Sequence, residues 1–302
     1  MMKIMVFGAG AIGSLFGGLL STKNEVLLFG RKNQMTAIQN NGLFITGKTT
    51  LHTNLDTAFC IDDVSFVPDV LLLTVKSFDT KEAIQQTLSL IGKDTLVVSF
   101  QNGLGNIDIL KEYVSEDQIA AGITTHGSLY VKPGVIKHTG RGNTCFGELS
   151  GEKTSRIQHV VESCNAVGIK TSVSNHIVED IVKKAIINAS INPLTAFFRY
   201  PNGYLLQNPV LAHLVEKICL ESTAIAQAQG FDLSSSDMID ETRQVIEKTS
   251  ENHSSMFQSV QKKSKTEIDS INAKFVELGR KKGCDVFLNQ VLTKLIHSIY
   301  DS

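Results

Sequence analysis

The 302-residue sequence lacks three features of specialised proteins: paired cysteines, a charge imbalance and long apolar runs. Its five cysteines are widely spaced and form no CxxC pair, which argues against a disulfide framework or a zinc site and favours a reduced, cytoplasmic setting. The net charge of −1 offers no field that would recruit nucleic acid or an anionic membrane. No segment has the uninterrupted apolar length of a membrane span. We therefore expect no metal and a small-molecule ligand rather than a nucleic-acid or membrane partner.

The first half of the chain alternates short apolar runs with helical segments. Near-continuously apolar strands separated by helices predict a parallel sheet that is covered on both faces. The predicted strands are 3–7, 25–29, 69–75, 95–100, 118–122 and 169–173, with β-like sequence at 43–54 and a hairpin-rich extension at 128–148. The predicted helices are 11–22, 33–40, 79–91, 104–113 and 152–167.

From about residue 175 the sequence shows long helical periodicities instead. These predict helices at 176–191, 209–229, 234–249, 266–282 and 286–299. The predicted architecture is an α/β domain at 1–173 and an all-α domain at 174–302. We expect a cleft between the two domains.

The string GAGAIG at residues 8–13 follows the first predicted strand and opens the first helix. This context turns a weak G-x-G-x-x-G match into a dinucleotide-binding prediction. Gly8 permits the tight turn, Gly10 leaves room for a pyrophosphate, and Gly13 lets the helix lie close to the strand. The free N–H groups at the helix start then face the phosphates. The α/β domain at 1–173 is therefore predicted to be a Rossmann-type dinucleotide-binding domain. The predicted cofactor-binding turn comprises Gly8, Ala9, Gly10, Ala11, Ile12 and Gly13.

The second predicted strand ends in LLFGRK, without the acidic residue that binds the ribose of NAD. Arg31 and Lys32 stand there instead, and a guanidinium can bind a 2′-phosphate through paired, charge-assisted hydrogen bonds. This favours NADP(H), although a solvated surface arginine is the alternative. Lys76 and Asn102 follow two further strands, and ligands bind at this edge of such sheets. Lys76 is therefore a candidate for phosphate or ribose, and Asn102 for the nicotinamide ribose or the substrate.

Lys184, Asn188 and Asn192 lie four residues apart on one face of a predicted helix. Such a stripe with little charge indicates an enclosed polar surface, although a solvated helix face is the alternative. An ammonium beside a carbonyl oxygen can stabilise developing negative charge and deliver a proton, which suits ketone reduction. The asparagines can bind a hydroxyl or a carboxylate. We therefore expect the all-α domain at 174–302 to be the substrate and catalytic domain, with the active site in the cleft between the two domains. We expect Pro193 to kink or end this helix.

The string ENHSSMFQSVQKKSKTEID at 251–269 holds a second group of candidates. Asn252, Ser254 and Ser255 could bind a carboxylate, and Glu267 could partner the lysine or a substrate hydroxyl. The alternative is a helix start, in which Ser264 or Thr266 caps the helix and Glu267 interacts with its dipole. The residues alone leave both interpretations open.

Together these strings resemble the ketopantoate reductase (2-dehydropantoate 2-reductase) family over nearly the whole chain. The resemblance is carried by GAGAIG, KSF, QNGLG, TTHG, KKAIINASINPLTAFFRYPNG and ENHSSMFQSVQKKSKTEID, of which INPLTA and ENHSSM…TEID are the most specific. It implies an NADP-dependent oxidoreductase that reduces ketopantoate to (R)-pantoate in pantothenate and coenzyme A biosynthesis.

The resemblance also implies roles for individual residues. Lys184 resembles the general acid of the family, and Glu267 the acidic residue near the lysine and the cofactor. The implied substrate-binding residues are Asn102, Asn188, Asn192, Asn202, Asn252 and Ser255. The implied cofactor contacts beyond the glycine turn are Arg31, Lys76, Asn102, Gly127 and Glu267.

Two other functions remain open at this point. One is a reductase of another branched 2-keto acid or a 3-hydroxyacid dehydrogenase, because a lysine with an asparagine one turn away suits those reactions too. The other is a non-catalytic NADPH sensor, which would have little reason to keep the polar stripe. A homodimer is compatible with the sequence, but no feature requires one.

Overall fold

The computed structural model describes residues 1–299 and divides the chain into two compact units. The first unit comprises residues 1–101 and 106–178, and the second comprises residues 102–105 and the chain from Glu179 onward. The predicted boundary at 173 and 174 lies shortly before this division, and the sequence did not indicate that 102–105 would join the second unit. Within residues 1–299, no helix is long and apolar enough to cross a membrane.

The first unit is built from strands and helices that alternate along the chain. Its strands are β1 (Lys3–Phe7), β2 (Glu25–Phe29), β3 (Leu43–Gly47), β4 (Leu51–Thr53), β5 (Asp56–Ala58), β6 (Val70–Leu73), β7 (Leu96–Ser99), β8 (Ile119–Thr124), β9 (Gly127–Lys132), β10 (Val135–Gly140), β11 (Thr144–Glu148) and β12 (Thr171–Val173). Its helices are α1 (Ala11–Leu20), α2 (Lys32–Asn41), α3 (Thr80–Thr87), α4 (Asn106–Lys111) and α5 (Ser155–Ala166).

The main sheet of this unit has eight strands in the order β12-β11-β8-β7-β6-β1-β2-β5. Strands β5 to β8 with β1 and β2 pair in parallel, in the doubly wound order of dinucleotide-binding sheets. Successive residues of β1 enter cores on opposite faces of the sheet: Ile4 and Val6 on one side, Met5 and Phe7 on the other. Burial on both faces explains why these strands are apolar without alternation.

The predicted parallel sheet gains one antiparallel strand, which the sequence did not predict. Strand β11 pairs antiparallel with β8, so the main sheet is mixed. The hairpin predicted within 128–148 consists of β9 and β10 only, which pair antiparallel. This hairpin joins β3 and β4 in a separate four-stranded sheet of order β4-β3-β10-β9. The pairing of β3 with β10, about ninety residues apart, depends on tertiary contacts that local periodicity does not specify.

The second unit is helical, as predicted. Its helices are α6 (Ile177–Phe198, which begins in the first unit), α7 (Tyr204–Gln207), α8 (Pro209–Ala228), α9 (Ser235–Lys248), α10 (Ser255–Gln261), α11 (Asn272–Lys281) and α12 (Phe287–Ser298). Helix α8 starts at a proline behind the N-cap Asn208, whose side chain accepts from two backbone N–H groups. Ser234 caps α9, because its hydroxyl accepts from the backbone N–H of Asp237. Both helices start within one residue of the positions that their periodicity predicted.

The expectation that Pro193 would kink or end its helix was wrong with respect to the end, because α6 continues to Phe198. Proline has no N–H, so the carbonyl of Ala189 loses its helical donor. The side-chain amide of Asn272 donates to that carbonyl at 3.1 Å. A donor from 83 residues away thus replaces the missing bond, and sequence reasoning had no signal for it.

The helix predicted from residue 266 also starts later than expected. Helix α11 begins at Asn272, and Glu267 lies in a turn before it. Neither Ser264 nor Thr266 therefore caps this helix, and the alternative in which Glu267 serves the helix dipole was wrong. The turn is closed by its own bonds, since the Glu267 carbonyl accepts from the N–H of Ile271 and the hydroxyl of Ser270.

Candidate active site

The glycine turn lies at the carboxyl edge of the main sheet, beside the point where strand order reverses. The last residues of the three central strands, Phe7, Phe29 and Leu73, are in register. The residues that follow them therefore share one edge. The N–H groups of Gly8 and of Ala9 both donate to the carbonyl of Phe29, at 2.9 and 3.1 Å. This is the position at which open α/β sheets bind ligands.

The three glycines of the turn have different surroundings. Gly8 has a φ of +119°, and a Cβ there would lie 2.6 Å from the backbone nitrogen of Val75. A Cβ on Gly13 would overlap the Gly8 carbonyl oxygen and the Thr74 hydroxyl. A Cβ on Gly10, by contrast, meets no atom within 4 Å. Gly8 and Gly13 thus serve packing, whereas Gly10 leaves open space at the start of α1, which fits a pyrophosphate.

Three hydroxyl groups that no sequence motif indicated hold the turn in place. Thr74 donates to the Gly8 carbonyl at 2.7 Å, and Ser14 to the Ala9 carbonyl at 3.2 Å. Ser128, which follows Gly127 at the start of β9, donates to the Ala11 carbonyl at 3.0 Å. The small sheet is thereby fastened to the first turn of α1. Gly127 is placed within reach of the glycine turn by this contact.

Arg31 and Lys76 stand beyond the ends of the two strands that flank β1. Arg31 is exposed at the start of α2, directly after Gly30. A Cβ on Gly30 would lie 2.6 Å from the Cβ of Ala9, so this strand end approaches the turn closely. Lys76 is half-buried before a short 3₁₀ turn, Ser77–Asp79. Both cations therefore lie on the sheet edge that the sequence predicted.

A histidine pair next to Gly127 was not anticipated. His138 Nε2 lies 2.9 Å from the Gly140 carbonyl, which can only accept, so this nitrogen carries the proton. His126 Nδ1, at 3.0 Å, must then be an acceptor, which assigns the His126 proton to Nε2. Burial, and then the nearby His138 and Arg141, lower the pKa of His126 to about 4. The pair is therefore neutral at neutral pH.

In the second unit, α6 carries the predicted polar ladder: Lys184, Asn188 and Asn192. Lys184 and Asn188 are half-buried, and Asn192 is 6% exposed. The neighbouring Lys183 is held elsewhere, since its ammonium pairs with Glu179 at 2.8 Å. This hydrogen bond raises the pKa of Lys183. The two adjacent lysines thus have distinct environments.

The start of α10 is fastened to the C-terminal part of the ladder helix. The hydroxyl groups of Thr195 and Ser254 lie 2.7 Å apart, and both side chains are buried. Ser254 also caps α10, because its hydroxyl accepts from the N–H of Phe257. Ser254 therefore has a structural role, while the adjacent Ser255 is exposed. Of the two serines, Ser255 is the one available to a ligand.

Asn202 has a defined amide orientation. Thr249 donates its hydroxyl proton to the Val245 carbonyl, so its oxygen accepts from Asn202 Nδ2 at 2.9 Å. Asn202 Oδ1 is consequently buried without a hydrogen-bond partner among the described residues. An unpaired buried acceptor costs about 1–3 kcal/mol. The N–H of Asn202 donates to the carbonyl of Asn252, which joins these two predicted residues.

The Asn102 loop and the Glu267 turn also meet within the second unit. The N–H of Leu104 donates to the carbonyl of Ser270 at 2.7 Å, and Gly103 packs against Ser270. Glu267 is 6% exposed in that turn. Since Asn272 follows the turn and bonds to Ala189, the Glu267 turn is also tied to the middle of the ladder.

Within the second unit, hydrogen bonds thus join the start of α10 and the segment after the Glu267 turn to α6. They also join Asn202 to Asn252, and the Asn102 loop to the Glu267 turn. An ammonium, several carboxamides, a hydroxyl and a carboxylate are the groups that could bind a polar keto acid and protonate its carbonyl. Within residues 1–299, no group of three or more His, Cys, Asp or Glu side chains is arranged to hold a metal ion.

Comparison with known proteins identifies similar chains over the full length. Family profiles described as "Ketopantoate reductase PanE/ApbA" and its C-terminal counterpart match residues 4–151 and 176–300. A 2-dehydropantoate 2-reductase of Pyrococcus abyssi is 37% identical, with 98% of this chain and 97% of that protein covered. Among solved structures, D-mandelate dehydrogenase with NADH and anilino(oxo)acetate has a TM-score of 0.94 at 27% identity, covering 99% and 98% of the two chains. A PanE/ApbA family ketopantoate reductase from Ralstonia eutropha JMP134 has a TM-score of 0.91 at 28% identity, covering 99% of each chain.

Proposed function

Because the chain belongs to the ketopantoate reductase PanE/ApbA family, we propose that it reduces 2-dehydropantoate to (R)-pantoate with NADPH. The observation that carries this proposal is one face of α6. The ammonium of Lys184 and the carboxamides of Asn188 and Asn192 lie on it at intervals of four residues. This reaction belongs to pantothenate and coenzyme A biosynthesis. The free cysteines among the described residues suit the cytoplasm, where thiols stay reduced.

In the proposed reaction, NADPH supplies a hydride to the carbonyl carbon when it is bound. Lys184 stabilises the charge that develops on the carbonyl oxygen and donates the proton that completes the hydroxyl. Glu267 acts beside the lysine and the cofactor. The residues proposed to hold the keto acid are Asn102, Asn188, Asn192, Asn202, Asn252 and Ser255.

Asn202 has a specific part in this proposal. Its unpaired Oδ1 can only accept, so it would bind the hydroxyl group of ketopantoate rather than the carboxylate. Thr249 maintains this orientation by occupying Asn202 Nδ2. The chemistry therefore favours a keto acid that carries a hydroxyl.

The first unit would hold the cofactor at the carboxyl edge of its main sheet. The phosphates would occupy the open space at Gly10, where backbone N–H groups begin α1. Arg31 and Lys76 would bind the 2′-phosphate and neighbouring oxygens. The remaining proposed contacts are Gly8, Ala9, Ala11, Ile12, Gly13, Asn102, Gly127 and Glu267.

Replacing Arg31 with alanine is expected to raise the Kd for NADPH roughly tenfold while the Kd for NADH stays the same. A charge-assisted hydrogen bond contributes about 1.5–3 kcal/mol, and the lower end applies because Arg31 is exposed. Fluorescence titration of both cofactors measures the two constants. Lys48→Ala, which removes another cation of the same unit, serves as control. An equal loss for NADPH and NADH would show that the 2′-phosphate is bound elsewhere.

The substrate itself is tested with a panel of keto acids. The similarity to D-mandelate dehydrogenase makes aryl 2-keto acids the second candidate class. NADPH oxidation at 340 nm would be followed with ketopantoate, its analogue without the hydroxyl, and phenylglyoxylate (the keto acid that corresponds to mandelate). We expect the highest kcat/KM with ketopantoate. A clear preference for phenylglyoxylate would overturn the proposed substrate while leaving the reductase chemistry intact.

A further inference from the structure

Helix α6, which carries the ladder, lacks one of its backbone hydrogen bonds. Pro193 cannot donate to the carbonyl four residues earlier, which belongs to Ala189. Asn272 Nδ2 donates to this carbonyl at 3.1 Å, and both residues are completely buried. The bond lies between Asn188 and Asn192 along the helix, because Ala189 directly follows Asn188 and precedes Asn192 by less than one turn.

The orientation of the Asn272 amide is determined by a chain of bonds that starts at Glu221. This carboxylate accepts from the backbone N–H groups of Leu288 and Asn289 and, at 2.8 Å, from Asn289 Nδ2. Asn289 Oδ1 must then face Asn272, whose Nδ2 donates to it at 2.9 Å. The second proton of Asn272 Nδ2 therefore points to Ala189.

The unpaired oxygen of Asn272 indicates that the role of this residue lies in the hydrogen bonds that its Nδ2 donates. Asn272 Oδ1 is buried and has no hydrogen-bond partner among the described residues. An unpaired buried acceptor is destabilising, so an apolar side chain of similar size would serve better if Asn272 only filled space. Its two donated bonds are the compensation that the structure contains.

We propose that Asn272 is a positioning residue for the reaction, which holds the ladder in one continuous helix across Pro193 by supplying the donor that proline lacks. This inference rests on the proposed function, since the ladder is the proposed proton donor and substrate-binding face. Without the bond, the Ala189 carbonyl would turn toward another donor and bend the helix between Asn188 and Asn192. Lys184 and Asn192 would then no longer face one substrate together.

The test is a double-mutant cycle in which alanine at position 193 restores the backbone donor. Asn272→Ala is expected to lower kcat for ketopantoate about tenfold, less than the ~10²-fold that a full ångström of misplacement can cost. The KM for NADPH should not change. Pro193→Ala alone should retain activity, and the double variant should regain the kcat of Pro193→Ala. Thr242→Val, a buried polar change on α9, controls for loss of stability alone and should keep its kcat.

A double variant as slow as Asn272→Ala would overturn the proposal, as would an Asn272→Ala enzyme with normal kcat and only a lower Tm. If Asn272→Ala does not fold, the double variant must fold, and its failure to do so would also count against the proposal. Thermal unfolding of the same four proteins reports the Ala189 bond without any substrate. If the wild-type protein reduces no keto acid, the proposed function is wrong, and the positioning role is wrong with it. The thermal cycle would still measure the bond between Asn272 and the Ala189 carbonyl.

Discussion

Replacing Lys184 with alanine is expected to lower kcat for keto-acid reduction by ~10²–10⁴-fold, the usual contribution of a positioned general acid. The variant loses the only proposed proton donor, so the alkoxide that forms during reduction has neither a neutralising charge nor a proton source. NADPH affinity should be unchanged, because the cofactor contacts proposed for the first unit are intact. Steady-state kinetics and fluorescence titration measure the two quantities separately.

The adjacent lysine provides a matched control. Lys183→Ala removes the same charge from the same helix, one residue away. Lys183 is paired with Glu179, so its loss removes a surface ion pair of small energetic value. We expect the turnover of Lys183→Ala to match the wild type. Equal kcat values for wild type and Lys184→Ala would rule out the proposed acid.

Two alanine substitutions three residues apart in the glycine turn should affect different properties, one the affinity for NADPH and the other the Tm. Gly10→Ala is expected to leave Tm unchanged and raise the Kd for NADPH by roughly 5- to 150-fold. Its φ of −75° suits alanine, and no protein atom lies within 4 Å of the new Cβ. The methyl group would instead crowd the pyrophosphate, and overpacking costs about 1–3 kcal/mol.

Gly13→Ala should lower Tm instead. The better helix propensity of alanine contributes about 1 kcal/mol. The new Cβ, however, would overlap the carbonyl oxygen of Gly8, and a backbone atom cannot move aside cheaply. The overlap therefore outweighs the gain in propensity. Thermal unfolding with and without NADPH distinguishes the two variants, and a Gly10→Ala enzyme with normal NADPH affinity would contradict the proposed phosphate position.

The sequence predicted those parts of the fold that local chemistry specifies. The glycine turn was identifiable because a strand, a G-x-G-x-x-G string and a helix follow one another directly. Helices α8 and α9 were located correctly from their helical periodicity, and Asn208 and Ser234 cap their starts in the structure. The cations at 31 and 76 were placed correctly because the ends of parallel strands share one edge.

Other features required contacts between distant residues. The antiparallel partner of β8 and the joining of β3 with β10 depend on strand pairing, which periodicity does not specify. The bracing hydroxyls of Thr74 and Ser128 and the histidine pair carry no recognisable motif. Glu267 was assigned a family role by resemblance, but its place in a turn before α11 came only from the structure.

Helix α6 shows most clearly which features the local sequence determines and which depend on tertiary contacts. By itself the sequence determined the spacing of Lys184, Asn188 and Asn192, because four-residue steps place side chains on one face of any α-helix. Whether that face continues past Pro193 was decided only by the tertiary structure. The local rule ends a helix at a proline because a carbonyl is left without a donor, and here the donor comes from Asn272, far along the chain.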